Sequence, residues 1–235
     1  MFDAEGRARK ARTMLAVLAD FFAARPLADM AVLNVGSSAG LIDRELAARF
    51  ASVTGMDIDA PAIEHAAQAA AAANLRFLVG DALRIPFGAA RFDVAICSQV
   101  YEHVPDAARM MAEIHRVLKP GGACYFAAGN RLMWNEPHYD LRLLSVMPRW
   151  LADLRVRAAG KGEAYYEKHF TYWGLRRLVS GFRLHEYTRR IIDDPVAFHA
   201  EYMLPPGSRK AALAGLVARH ALWLVPGYIW VLEKN

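Results

Sequence analysis

The stretch that most constrains this chain is Val32-Leu33-Asn34-Val35 running straight into Gly36-Ser37-Ser38-Ala39-Gly40. A short apolar run of this kind reads as a strand buried on both faces. The two glycines behind it permit a tight turn and let a ligand approach bare backbone. The residues after Gly40 predict a helix at about 41–50. Buried strand, glycine turn and helix make the opening unit of an α/β sheet, and the amides at the start of that helix face whatever sits over the turn.

The same rhythm continues downstream. Val53 to Ile58 predicts a second strand, and Pro61 opens an Ala-rich helix through Ala73, proline being well suited to a first helical position. Leu75 to Val79 and Phe92 to Ser98 predict a third and a fourth strand. Asp106 to Leu118 reads as a helix stopped by Lys119-Pro120-Gly121-Gly122, and Cys124 to Ala128 as a fifth strand. Alternating strands and helices with short links imply a parallel sheet covered on both faces. After Asn130 the rhythm breaks. Thr171 caps a helix through Ser180, Phe182 to Ile192 looks like a strand, a helix is expected at about 209–224, and Tyr228 to Glu233 closes the chain as a strand.

Composition excludes several classes. With 235 residues, 55% of them hydrophobic and 23% charged, the chain is long and apolar enough to bury a core and is not disordered. Two cysteines, Cys97 and Cys124, leave no disulfide framework or Cys-based zinc site. The basic cluster Arg7, Arg9, Lys10 and Arg12 precedes an apolar run in the manner of a signal peptide, but Asp20 and Arg25 interrupt it. An amphipathic opening helix is the better reading. Ala211 to Leu232 contains Arg219, His220 and Pro226 and does not suit a membrane span. The net charge of +5 is unevenly placed: residues 31–130 hold 8 basic and 10 acidic groups, whereas residues 131–190 hold 12 and 6. All five tryptophans follow residue 130.

The glycine turn admits three readings. It matches G-x-S-x-G with Ser38 as nucleophile, although no upstream strand could supply the oxyanion-hole loop of a hydrolase. It lacks the G-x-G-x-x-G spacing of a nicotinamide-cofactor turn. The third reading is a nucleoside-binding turn for S-adenosylmethionine. Two acids support it. Asp57 stands at the end of the second strand, 21 residues after Gly36, where a carboxylate can accept both ribose hydroxyls. Asp81 follows the third strand, placed to accept a bond from an adenine amino group. Each could instead cap the turn that follows it.

At these residues the chain resembles a known family. Val32 to Gly40 is similar to the first motif of class I S-adenosylmethionine-dependent methyltransferases, in the small-molecule branch, and Gly55-Met56-Asp57-Ile58-Asp59 to their ribose-binding strand end. Gly80-Asp81-Ala82-Leu83 resembles their adenine-contacting segment, and Phe92-Asp93-Val94-Ala95 through Glu102-His103-Val104-Pro105-Asp106 their fourth strand and its loop. Arg116 to Gly122 is similar to the turn before their fifth strand. The resemblance covers about residues 31–130, with the closing strands near 182–192 and 228–233 also fitting. It implies a Rossmann-like α/β fold: a seven-stranded, mostly parallel sheet with the last strand antiparallel, helices on both faces, and insertions after strands 5 and 6. Residues 1–235 would form a single domain, with an N-terminal helix within 1–30, a cofactor core at 31–130, and substrate or lid insertions at 131–170 and 193–226. Two departures stand out: Asn34 replaces the usual acid of the first motif, and Ser38 its middle glycine.

The resemblance implies S-adenosyl-L-methionine as cofactor and S-adenosyl-L-homocysteine as product, held by Asn34, Gly36, Ser37, Ser38, Gly40, Asp57, Ile58, Asp81, Ala82 and Ser98. His103, in the loop after the fourth strand, and His138, in Asn135-Glu136-Pro137-His138-Tyr139, are the candidate catalytic residues, each able to serve as a base or to position the acceptor. Tyr101, His138, Tyr139, Tyr165 and Tyr166 are the candidate acceptor contacts. No spacing of His or Asp suggests a metal site. The expected reaction is methyl transfer to a small anionic or amphipathic acceptor, by preference at oxygen, in the cytoplasm and with transient membrane contact through the 211–225 stretch. The alternatives are RNA methylation, which would suit basic charge with stacking rings, and a non-catalytic binding protein on the same fold. Six excess charges over sixty residues, without an appended RNA-binding module, argue against nucleic acid.

Overall fold

The computed structural model describes residues 4–235; residues 1–3 of the expected N-terminal segment lie outside the described residues. The first strand, β1 (Ala31–Val35), forms where the sequence places it, and the chain then alternates as expected. It continues through α2 (Leu41–Ala47), β2 (Ser52–Asp57), α3 (Ala60–Gln68), β3 (Leu75–Val79), β4 (Phe92–Ser98), α4 (Ala107–Val117) and β5 (Leu118–Gly129), all preceded by α1 (Ala4–Phe21). Polar side chains start the helices: Asp59 accepts the Ala62 amide and Asp106 the Arg109 amide, each satisfying a donor that the first turn leaves free. Along α4 the buried residues Ala107, Met110, Met111, Ile114 and Val117 recur at three- and four-residue spacing, the signature of a helix with one face on the core.

The seven strands are ordered β3-β2-β1-β4-β5-β9-β8, where β8 is Arg183–Glu186 and β9 is Gly227–Glu233. β1 to β5 run parallel, and β9 lies antiparallel between β5 and β8. This is the Rossmann-like sheet that the resemblance implies. Side chains alternate across it. Leu33, Ala95, Cys97 and Phe126 pack on the α4 face, while Val32, Val94, Ile96 and Tyr125 pack on the face covered by α1 and α2.

Three expectations change. The expected strand over 182–192 ends at Glu186, whose carboxylate accepts the Thr188 and Arg189 amides and so starts α7 (Thr188–Asp193). The Ala-rich helix stops at Gln68, five residues short of Ala73, because beyond Ala66 it has no buried side chain to hold it. The helix expected over 209–224 is α8 (Arg209–His220) followed by a 3₁₀ turn at Leu222–Leu224. In the insertion after β5, a two-residue pair of strands, β6 (Asn135–Glu136) and β7 (Leu141–Arg142), leads to α5 (Arg149–Ala158) over a small core of Leu144, Ala152, Val156 and Tyr165. Thr171 then caps α6 (Tyr172–Leu178) by accepting the Gly174 amide. Among the described residues, no helix is long and apolar enough to cross a membrane.

Candidate active site

The carboxyl ends of β1, β2, β3, β4 and β5 open on a cavity of about 730 Å³. That is the edge where ligands sit in open α/β sheets. At one end Gly36, Ser38, Asp57, Ile58, Asp81 and Ala82 line it. Asp57 holds the glycine turn to the sheet: Oδ2 accepts the Ser38 amide at 2.8 Å and Oδ1 the Asp59 amide at 3.0 Å. A carboxylate offers about four lone-pair positions, so each oxygen keeps one for an outside donor. A vicinal pair of ribose hydroxyls fits that donor set. Asp81 is tied down the same way, its Oδ1 accepting the Leu83 amide at 2.8 Å. Ile58 is 73% exposed, an apolar surface at the cavity edge suited to a flat ring.

The backbone of the turn is demanding. Gly36 and Gly40 have φ of +80° and +70°, and Ser38 between them is also left-handed at +50°. A methyl group on Gly36 would overlap Val100, and one on Gly40 would overlap the Phe77 ring. The glycines are thus required by the protein's own packing as well as by ligand approach.

At the other end the cavity is lined by Ser98, Gln99, His103, Met133, Asn135, His138 and His169. Here the chain gathers three imidazoles and three carboxylates from the β4–α4 loop, β6 and its turn, and the 165–169 segment. His138 Nδ1 lies 2.6 Å from Glu136 Oε1, and His169 Nε2 lies 3.4 Å from the same oxygen. Glu136 is fully buried, and its other oxygen accepts the Tyr139 amide at 3.0 Å. His103 packs edge-on against His138, with ring centroids 4.8 Å apart, and its Nδ1 is 3.9 Å from Glu167.

The matching family model describes a methyltransferase domain and covers residues 33–126, from the first strand to the fifth. Over these residues the chain is similar to a methyltransferase domain, carried on a Rossmann-like sheet. It is 36% identical over 139 residues to a ubiquinone biosynthesis O-methyltransferase of Pseudomonas paraeruginosa, a match covering 55% of this chain and 58% of that protein. The chain therefore spans little more than half the length of that curated relative. Among solved structures it resembles a SAM-dependent methyltransferase from Methanosarcina mazei, with TM-score 0.56, 24% identity, and coverage of 88% and 93% of the two chains. It also resembles an S-adenosylmethionine-dependent methyltransferase from Mesorhizobium loti, with TM-score 0.59, 16% identity, and coverage of 93% and 98%. These two likenesses carry the fold alone.

Most of the residues expected to hold the cofactor reach the cavity, but three do not. Asn34 does not line it, its buried amide donating to Asp43 Oδ2 at 2.9 Å under α2. Ser37 is buried, with its Oγ hydroxyl unpaired. Gly40 starts α2 and packs on Phe77. Of the expected acceptor contacts only His138 lines the cavity. Tyr101 is 1% exposed and donates to the Gly129 carbonyl at 2.6 Å, bracing β5. Tyr139 donates to the Ala164 carbonyl, Tyr165 belongs to the small insertion core, and Tyr166 points to solvent.

The cavity end also holds functional candidates that local sequence does not single out: Glu136, His169, Gln99 and Glu102. No periodicity marks them, because they meet only through the path of the insertion. The expectation that no metal-like cluster forms does not hold geometrically. The ligand atoms of Glu102, His103 and His138 lie within 4.8 Å of one another, as do those of Glu136, His138 and His169.

Electrostatics divide the cluster into roles. Burial alone would raise the Glu136 carboxyl, but hydrogen bonds from His138 and His169 outweigh it and hold the group well below the usual carboxylate range. The Glu136 bond raises His138 in return, against the smaller opposing effect of its own burial. His103 is lowered, by burial first and then by the neighbouring His138. Glu102 is raised by burial and has neither carboxylate oxygen hydrogen-bonded.

Proposed function

We propose that the chain catalyses methyl transfer from S-adenosylmethionine to a hydroxyl oxygen of a small-molecule acceptor. The observation that supports it is the continuity of one cavity, which has Gly36, Asp57 and Asp81 at one end and the Glu136-backed His138 at the other. When bound, S-adenosylmethionine supplies a methyl group already activated for displacement. The chain's part is alignment, exclusion of water and handling of one proton. Asp57 takes the ribose hydroxyls, Asp81 and Ala82 border the adenine, and Ser98 with Gln99 marks the reacting end. Glu136 accepts from His138 Nδ1, which orients the ring and leaves Nε2 to receive the acceptor's proton. His103, kept neutral by its surroundings, flanks that ring.

Isothermal titration of S-adenosylhomocysteine into the purified chain tests this reading. Saturable one-site binding, weakened about 10- to 100-fold by Asp57→Ala, is the expected result; no binding by the wild-type chain would overturn it.

One observation favours a second reading of the acceptor end. Glu102 is 1% exposed, has no hydrogen-bond partner for its carboxylate, and lies beside His103 and His138. A divalent cation held by these three would orient and acidify the acceptor hydroxyl instead of a base. Activity that survives dialysis against EDTA supports the base; activity lost and restored by added Mg²⁺ or Zn²⁺ supports the cation.

A further inference from the structure

A second cavity of about 770 Å³ lies beside the first, and of the residues expected to hold the cofactor it reaches only Ser98. Its walls come from α1, α7, the 202–204 segment, α8 and the chain entering β9, over the ends of β4 and β5. Met14, Ile191, Met203, Leu213, Val217 and Ile229 give it a predominantly apolar surface. The two cavities share Lys10, Ser98, Gln99, Pro226 and Gly227 as lining. Gln99, on this shared wall, is held at φ +57° with its amide donating to the Ala127 carbonyl. A non-glycine residue kept in that conformation is a form of strain that tends to collect where ligands are handled.

Two of the polar side chains in the second cavity are engaged with the backbone. Thr13 Oγ1 donates to the His199 carbonyl at 2.9 Å, and Thr188 Oγ1 accepts the Ile229 amide at 3.1 Å. The remaining polar lining includes Lys10, Lys210, Tyr202, Ser98 and Gln99, set in an otherwise largely apolar wall. Helix α8 buries only Ala218 fully, while Leu213, which lines the cavity, remains 61% exposed. An apolar wall on a lightly packed helix, beside a reacting centre and within the size range of ligand sites, suits a hydrocarbon.

We infer that the second cavity holds the hydrocarbon tail of an amphipathic acceptor, whose hydroxyl-bearing head lies across Ser98 and Gln99 in the first cavity. This rests on the methyl-transfer reading for the head, but the tail site stands on its own geometry.

The test uses the full chain and n-alkyl gallates with methyl, butyl, octyl and dodecyl esters, below their critical micelle concentrations, with S-adenosylhomocysteine titrated in parallel. Affinity is expected to rise about threefold per added methylene until the cavity is filled. Ala214→Trp, which fills the cavity from α8, and Leu213→Asp, at an exposed position that folding does not depend on, should flatten that rise while S-adenosylhomocysteine affinity stays unchanged. A flat chain-length series in the wild type with S-adenosylhomocysteine still binding overturns the tail site and leaves the methyl-transfer reading intact. A rising series that both variants preserve also overturns it, because the tail then binds elsewhere. A rising series abolished by the variants, in a chain that does not bind S-adenosylhomocysteine, upholds the apolar site and removes the methyl-transfer reading.

Discussion

The Asn34 side-chain amide donates to the Asp43 carboxylate at 2.9 Å beneath the glycine turn, and Asp43 is completely buried. Burial pushes the Asp43 carboxyl up to about 7, the Asn34 bond opposing it only in part. Between about pH 4 and 7 the native state therefore keeps a proton that the unfolded chain has released. Stability should fall as pH rises through that window and level off above it, by an amount on the order of a few kcal/mol. Denaturant unfolding at pH 5 and pH 8 checks this: Asp43→Asn should lose most of the difference that the wild type shows. An unchanged pH dependence in the variant would show that Asp43 ionises normally.

At the proposed acceptor end, His138→Ala should lower kcat for methylation of an acceptor hydroxyl by about 10²- to 10⁴-fold, the range for loss of a general base. Glu136→Gln keeps the shape but removes the charge that raises His138. It should cost less than His138→Ala and move the acidic limb of the kcat profile to lower pH, since a less basic imidazole stays neutral further down. A matching loss of S-adenosylhomocysteine affinity would mean instead that these residues hold the cofactor end together.

Ser38 occupies a left-handed position in the turn, where a side chain costs about 1–2 kcal/mol and glycine's extra chain entropy offsets part of the gain. Ser38→Gly should stabilise the protein by up to about 1 kcal/mol and bind S-adenosylhomocysteine at least as tightly. Ser38→Val should be destabilised by more than about 1 kcal/mol. Thermal unfolding with and without ligand separates the two effects.

Gly40→Ala should destabilise by roughly 2 kcal/mol or more, because the added methyl meets the Phe77 ring at a backbone angle that disfavours it. Phe77→Leu should recover part of the loss in the double variant. Additive losses would show that the backbone angle alone is responsible.

Much of the fold was legible residue by residue. A continuous apolar run such as Val94-Ala95-Ile96-Cys97 has to be buried on both sides, and Gly36 and Asp57 mark strand ends because a turn and a carboxylate there have few other uses. Where local pattern misled, a neighbouring group decided. Glu186 ends β8 by capping α7, an event that β-branched Ile191 and Ile192 conceal.

By itself the sequence determined the alternation of strands and helices and the glycine-turn end of the cavity. Those features depend on residues close together in the chain: an apolar period, a glycine turn and acids at strand ends. Tertiary structure alone decided the rest. Asn34 turns under α2 because side chains in β1 alternate, and Asp43 reaches it there from α2. Glu136, His138 and His169 become one hydrogen-bonded group only when two parts of the insertion return to the same sheet edge, and the apolar chamber forms only where helices from opposite ends of the chain meet over β4 and β5. No local period encodes such meetings, because they are set by how the faces of distant elements pack.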